Sequence, residues 1–355
     1  MSENLYEQTC KSVSAVSDEL LSAAQHKMDN KTKPLGALGQ LESLAVQMCQ
    51  IQQSLSPRIE NKTLMVFAAD HGISAEGVSA FPSEVTAQMV LNFLGGGAAI
   101  NVLCRHHDID IRIVDMGVSA DLEPHSELID KKIRRGTRNF AVEPAMTREE
   151  AIQAIEAGMS SFFDVYAQRP VQILGLGEMG IGNTTSASAI ISAATGVSPE
   201  EATGRGTGID DKGFQNKVAV IQKALDLHRP DTNDGLDILC KVGGFEIAGI
   251  AGAALAAASK GVAVVLDGVI STAAGLVAYL IRPEIGGYLI SGHRSVEVGQ
   301  VAALEMMSLN PVLELNMRLG EGTGAALTID IVSAACRVMR EMASFEEAGV
   351  SGQSE

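Results

Sequence analysis

The chain has 355 residues, 46% hydrophobic and 20% charged, enough for one large domain or two smaller ones around a substantial core. Its 27 basic and 43 acidic side chains leave a net charge of −16, which argues against nucleic acid and anionic membrane surfaces as partners. The five cysteines, odd in number and without a C-x-x-C pair, indicate neither a disulfide framework nor a zinc site and point to a reducing compartment.

Met1-Ser2-Glu3-Asn4-Leu5 lacks the basic and apolar regions of a signal peptide, so a cytoplasmic location is expected. Residues 1–30 carry apolar positions at helical spacing through Val13, Val16, Leu20 and Leu21, and Leu38 to Ile51 reads as a second helix after the break at Pro34 and Gly36. Short β-rich runs then alternate with helical segments. Thr63 to Ala69 ends in Asp70-His71-Gly72, and Ile109 to Val114 ends in Asp115-Met116-Gly117. Val171 to Leu174 ends in Gly175-Leu-Gly-Glu178, Val262 to Leu266 in Asp267-Gly268, and Tyr288 to Ile290 in Ser291-Gly-His293-Arg-Ser295. This alternation predicts an α/β fold with a mainly parallel, doubly wound sheet. Ile247 to Ser259 is an uncharged stretch of the most apolar region; it is too short to span a bilayer and predicts a buried Ala-rich helix. From about residue 300 the pattern is helical again, over 301–307, 312–319 and 324–342. The expected division is a large domain over 31–305, a small helical domain from 1–30 and 306–345, and a flexible polar tail over 346–355.

Ligands bind beyond the carboxyl ends of the strands in open α/β sheets. Asp70, Glu178, Asp267 and the 291–295 loop are therefore expected to converge on one crevice. Gly175-Leu-Gly177-Glu-Met-Gly180, with Glu200 some way beyond it, fits a dinucleotide fingerprint. The hydroxyl-rich helix start that follows, Asn183-Thr184-Thr185-Ser186, suits a single phosphate better. Gly204-Arg-Gly206-Thr-Gly208 with Lys217 forms a second candidate anion site. Near the end, Met317-Arg-Leu-Gly320-Glu321-Gly322-Thr-Gly324 sets one carboxylate among glycines, as suits a positioned base. An NAD-dependent oxidoreductase and a non-catalytic nucleotide-binding protein are two readings that these motifs allow.

In order along the chain, the following segments resemble one family: Lys33-Pro-Leu-Gly-Ala-Leu-Gly-Gln-Leu-Glu42, Ala69-Asp-His-Gly72, Gly177-Glu-Met-Gly-Ile-Gly-Asn-Thr-Thr185, Asn216-Lys217, Lys241-Val-Gly-Gly-Phe-Glu-Ile-Ala-Gly249, Leu266-Asp-Gly268, Ser291-Gly-His-Arg-Ser295 and Met317-Arg-Leu-Gly-Glu-Gly322. The family is the nicotinate-nucleotide–dimethylbenzimidazole phosphoribosyltransferases, enzymes of cobalamin lower-ligand synthesis. The resemblance implies a Rossmann-like large domain, a small helical domain from both termini and a homodimer. It implies transfer of a phosphoribosyl group from nicotinate mononucleotide to a benzimidazole-type base, with neither metal nor cofactor. Glu321 then matches the general base. Glu178, Met179, Gly180 and Gly320 would line the ribose and base region. Gly206, Lys217, Asp267, Gly268 and Ser295 would hold or flank the phosphate. Pro34, Phe81, Gln88, Met89 and Leu319 would contact the incoming base.

Overall fold

The computed structural model describes residues 3–206 and 208–351. Six parallel strands form one sheet: β1 Lys62–Ala69, β2 Asp110–Gly117, β3 Leu128–Asp130, β4 Ile173–Met179, β5 Ala263–Leu266 and β6 Leu289–Ser291. Their order is β3-β2-β1-β4-β5-β6, with every neighbouring pair parallel. The order reverses between β1 and β4, which opens a crevice at their carboxyl ends. The three-residue edge strand β3 was not expected from the sequence.

Seven of the eight residues of β1 are buried, so the strand reads as an apolar run rather than an alternating one. Leu64 points to the helix Thr323–Glu341, meeting Gly322 and sharing the space around Gly175 with Ile329. Phe67, three positions on, lies against Gly249 of the opposite helix, Phe245–Ser259. That helix is the Ala-rich one expected from the sequence, and it is buried on all sides over fourteen of its fifteen residues.

Three local expectations change. Residues 1–30 form two helices, Leu5–Ser12 and Leu21–Asp29. Between them Val13 is buried and its carbonyl accepts from Arg282, while Val16 packs on Gly287. Residues 312–319 are not helical. Val312 and Leu313 donate to the carbonyls of Ser291 and Gly292, and Arg294 donates back to Leu313. The unpaired edge beyond β6 recruits this segment, and its backbone groups outweigh the helical periodicity. The start of the supposed tail is a helical turn, Phe345–Ala348, in which the Ser344 side chain accepts from Glu347. The last four residues of that tail, 352–355, lie outside the described residues, as do Met1 and Ser2.

The chain ends meet where Lys31 pairs with Ser344 and Thr32 donates to the Ala343 carbonyl. The apolar face of Thr323–Glu341 is continuous with the core under β1, β4 and β5. Glu84–His107 is long and apolar enough by composition to cross a membrane, yet it breaks between Leu94 and Ala99 into two helices.

Candidate active site

A cavity of about 310 Å³ opens at the carboxyl ends of β4 and β5. Glu178, Met179 and Gly180 leave β4 along its floor, and the 318–321 turn forms one wall. Phe81, Val85 and Met89 form an apolar mouth with Leu319, and Ile181, Val269 and Ile270 extend the apolar lining. The polar end is built from Asn183, Thr184, Gly206, Ser271, His293, Ser295 and Glu297.

The wall carrying Glu321 has an unusual backbone. Gly320, Glu321 and Gly322 all have positive φ, at +83°, +63° and +93°. A left-handed conformation costs a non-glycine residue about 1–2 kcal/mol, so something must hold Glu321 there. That support is Asp267, at the end of β5. Its Oδ2 accepts the Gly322 N–H at 3.0 Å, and its Oδ1 accepts from Gly324 at 2.6 Å and Ala325 at 3.1 Å. Asp267 thus caps the helix Thr323–Glu341 from another element. On the other side Gly177 permits contact: a Cβ there would lie 2.3 Å from the Glu321 carbonyl oxygen.

The Glu321 side chain is 5% exposed, and its Oε2 accepts the Ile100 N–H at 3.2 Å, at the start of the helix Ala99–His107. Burial raises its pKa above the usual carboxylate value; the Ile100 hydrogen bond opposes this and the Asp267 charge adds to it. Glu178 is buried beside it and pushed up to about 8, first by burial and then by the Asp267 charge. The Asn183 amide donates to Glu178 and works against the shift. At pH 7 Glu178 is therefore largely protonated.

At the polar end Lys217 is fully buried and donates to Thr184 Oγ1 at 2.8 Å. Burial pushes it down to about 8, while the Glu297 charge opposes the fall. Thr184 lies in the first turn of the helix Asn183–Thr195, whose amino end favours an anion. Gly206 sits against Thr184 and Lys217, and its N–H donates to Glu297 Oε1 at 2.9 Å. Beneath Gly180, His71 Nε2 lies 2.6 Å from Glu246 Oε1 and its Nδ1 3.1 Å from Ser186 Oγ, all of them buried.

The cavity brings together Glu178, Met179, Gly180, Gly206, Gly268, Ser295, Gly320 and Glu321, with Phe81, Met89 and Leu319 at the mouth. Lys217 stands immediately behind the lining. Four expectations change. Asp267 spends its carboxylate on the 322–325 backbone, so it positions the turn and leaves no free oxygen for a nucleotide. Asp70, likewise expected in the crevice, accepts from Ser119. Gln88 is exposed, outside the cavity. Pro34 lines a separate hollow with Asn30, Leu35 and Phe345. Sequence reasoning missed Glu297, which lies two residues past the 291–295 motif, and the Ile100 amide, which no side-chain pattern reports. The dinucleotide fingerprint also fails as geometry. Gly175 and Gly177 lie inside β4, packed against Leu64, Ile329 and Glu321, with no loop to wrap a pyrophosphate.

A family model described as "Phosphoribosyltransferase" matches residues 13–350. The nicotinate-nucleotide–dimethylbenzimidazole phosphoribosyltransferase of Roseiflexus sp. (strain RS-1) is 53% identical over 352 residues, 99% of each chain. The enzyme of the same name from Citrifermentans bemidjiense is 52% identical over 98% of this chain and 99% of its own. Among solved structures, the crystal structure of CobT from Thermus thermophilus superposes with a TM-score of 0.91 at 43% identity, covering 94% of this chain and 99% of that one. The chain belongs to the nicotinate-nucleotide–dimethylbenzimidazole phosphoribosyltransferase family.

Proposed function

We infer that this enzyme transfers the phosphoribosyl group of nicotinate mononucleotide to 5,6-dimethylbenzimidazole or a related base, giving α-ribazole 5′-phosphate and nicotinate. The observation that carries the reading is the placement of Glu321. It is a buried carboxylate on a strained, pinned turn, facing a cavity that has an apolar mouth and a polar end backed by the buried Lys217.

The 5′-phosphate sits against the Gly206 N–H, Thr184, Lys217 and Ser295, with Gly268 alongside. The flat base enters between Phe81, Met89 and Leu319. One ring nitrogen attacks C1′ while Glu321 takes the proton from the other. Nicotinate leaves from the opposite face through a ring nitrogen that is already cationic, so its departure requires no acid. A pKa raised by burial makes the Glu321 carboxylate a stronger base. Glu178, largely protonated at neutral pH, borders the ribose.

A homodimer in the cytoplasm completes the reading. Leu91, Val102, Leu315 and Leu319 are more than half exposed, and the five cysteines are free. Pro34 lies outside this chain's own cavity, so it reaches a base only if a second copy presents it. Light scattering tests the dimer.

The enzyme is incubated without added divalent metal, with nicotinate mononucleotide and a panel of bases, and the products are weighed by mass spectrometry. α-Ribazole 5′-phosphate is the expected product with dimethylbenzimidazole. Glu321→Gln is expected to lower kcat by roughly 10²–10⁴-fold with its melting temperature retained. Unchanged turnover in that variant would refute the assignment of the base.

A further inference from the structure

Glu297 is 7% exposed, and its Oε1 accepts the Gly206 N–H at 2.9 Å. The other oxygen lies over Gly204, where an added Cβ would stand only 1.8 Å from it. The segment carrying it is braced: Ser295 N–H donates to Gln300 Oε1 at 2.7 Å, and Glu297 N–H donates to Ser295 Oγ at 3.2 Å. The Glu297 charge also reaches Lys217, whose ammonium donates to Thr184. A carboxylate therefore occupies a backbone donor, and the neighbourhood of a buried cation, that an incoming phosphate needs. Two anions cannot share one N–H, and bringing them side by side costs several kcal/mol.

We infer that Glu297 is an internal competitor for the phosphate cradle, lowering its affinity for any phosphate so that a lone anion leaves it empty while a whole nucleotide still fills it. Inorganic phosphate gains only the few donors it takes from Glu297. A nucleotide also brings ribose and ring contacts, and these offset the displacement. The inference rests on the reading of Thr184, Gly206, Lys217 and Ser295 as the phosphate site.

The test uses full-length enzyme and two probes, inorganic phosphate and nicotinate mononucleotide, with affinities measured by calorimetry. Wild type is compared with Glu297→Gln, Glu297→Ala and Lys217→Ala, and thermal melting checks that each is folded. Glu297→Gln removes the charge and is expected to tighten inorganic phosphate by about tenfold. Glu297→Ala also clears the Gly206 N–H, and is expected to tighten phosphate at least as much. In both variants the nucleotide, which displaces the same carboxylate, is expected to tighten by a similar factor. Lys217→Ala is expected to weaken both ligands. If neither Glu297 variant binds phosphate more tightly while Lys217→Ala weakens it, Glu297 supports the cradle and the inference is overturned. If Lys217→Ala alters neither affinity, the phosphate-site reading itself falls, and the competitor role with it.

Discussion

At the scale of single residues, the chemistry depends on how each carboxylate is satisfied. Asp267 has three backbone donors and Glu321 has one, so the first is fixed in place while the second keeps lone pairs for a proton. Asp267→Asn keeps the shape but replaces one acceptor oxygen with a donor aimed at an N–H. It is expected to destabilise the fold by roughly 2–3 kcal/mol, because hydrogen bonds to charged groups are worth about that much. Urea unfolding measures this. The same variant lowers kcat more than it raises KM, since it loosens the turn under Glu321 and leaves the phosphate cradle untouched. Lys217 gives a second test at this scale. Its depressed pKa of about 8 means that the free enzyme loses the ammonium as pH rises through that value. The alkaline limb of kcat/KM for the nucleotide is expected near pH 8, and in Lys217→Arg it shifts upward. Glu178 also titrates near 8, so the limb is compared in Glu178→Gln, where it persists if Lys217 is its source.

Secondary-structure elements show where sequence patterns suffice and where tertiary pairing overrides them. The helices Arg148–Gln168 and Phe245–Ser259 approach so closely that a Cβ on Gly252 would lie 2.0 Å from the Ile155 carbonyl oxygen. Gly252→Ala is therefore expected to cost about 1–3 kcal/mol by overpacking, even though alanine is the better helix former. Equilibrium denaturation decides between the two effects. Five strands, the Ala-rich helix and the glycine-flanked Glu321 were legible because each is a local pattern: an apolar run, a small-residue stripe, an acid among glycines. The strand Leu128–Asp130 was not, because three residues carry too little periodicity to register. Residues 312–319 misled because their apolar spacing is genuine, but the free edge beyond β6 offers hydrogen bonds that a helix ending there could not match. At the site, Glu178, Gly206 and Ser295 were legible as strand ends and glycine loops. Glu297 was hidden because an isolated acid looks the same in sequence whether it faces solvent or an anion cradle. Asp267 read as a ligand contact because sequence shows an acid at a strand end and conceals the backbone donors that engage both of its oxygens, whereas Asp70 read the same way but lies outside the cavity lining.

The whole molecule carries an excess of sixteen negative charges, yet several acids are buried around one cavity. That arrangement has a pH signature. Glu178 binds its proton more tightly folded than unfolded, up to about pH 8. Between the unfolded value of 4.5 and that pH, the native state holds more protons than the denatured state, so stability declines as pH rises. Its contribution is fully present below 4.5 and lost by about 8. Glu178→Gln is expected to flatten this decline, and the difference between the two chemical-denaturation curves should widen from about pH 5 to about pH 8. A constant offset across that range would rule out a raised Glu178.

The apolar mouth of Phe81, Val85, Met89 and Leu319 bears on a different contest. Water is also a nucleophile, it is everywhere, and it too could take the ribose from nicotinate. On the reading of this mouth as the acceptor's entrance, a flat aromatic ring seated between those side chains drives water out as it binds, so the acceptor's arrival dries the reacting carbon. The fraction of nucleotide wasted by hydrolysis is then governed by the fit of the hydrophobic entrance as much as by the base itself. Residues that form no bond to the reacting atoms thereby set the yield of the reaction.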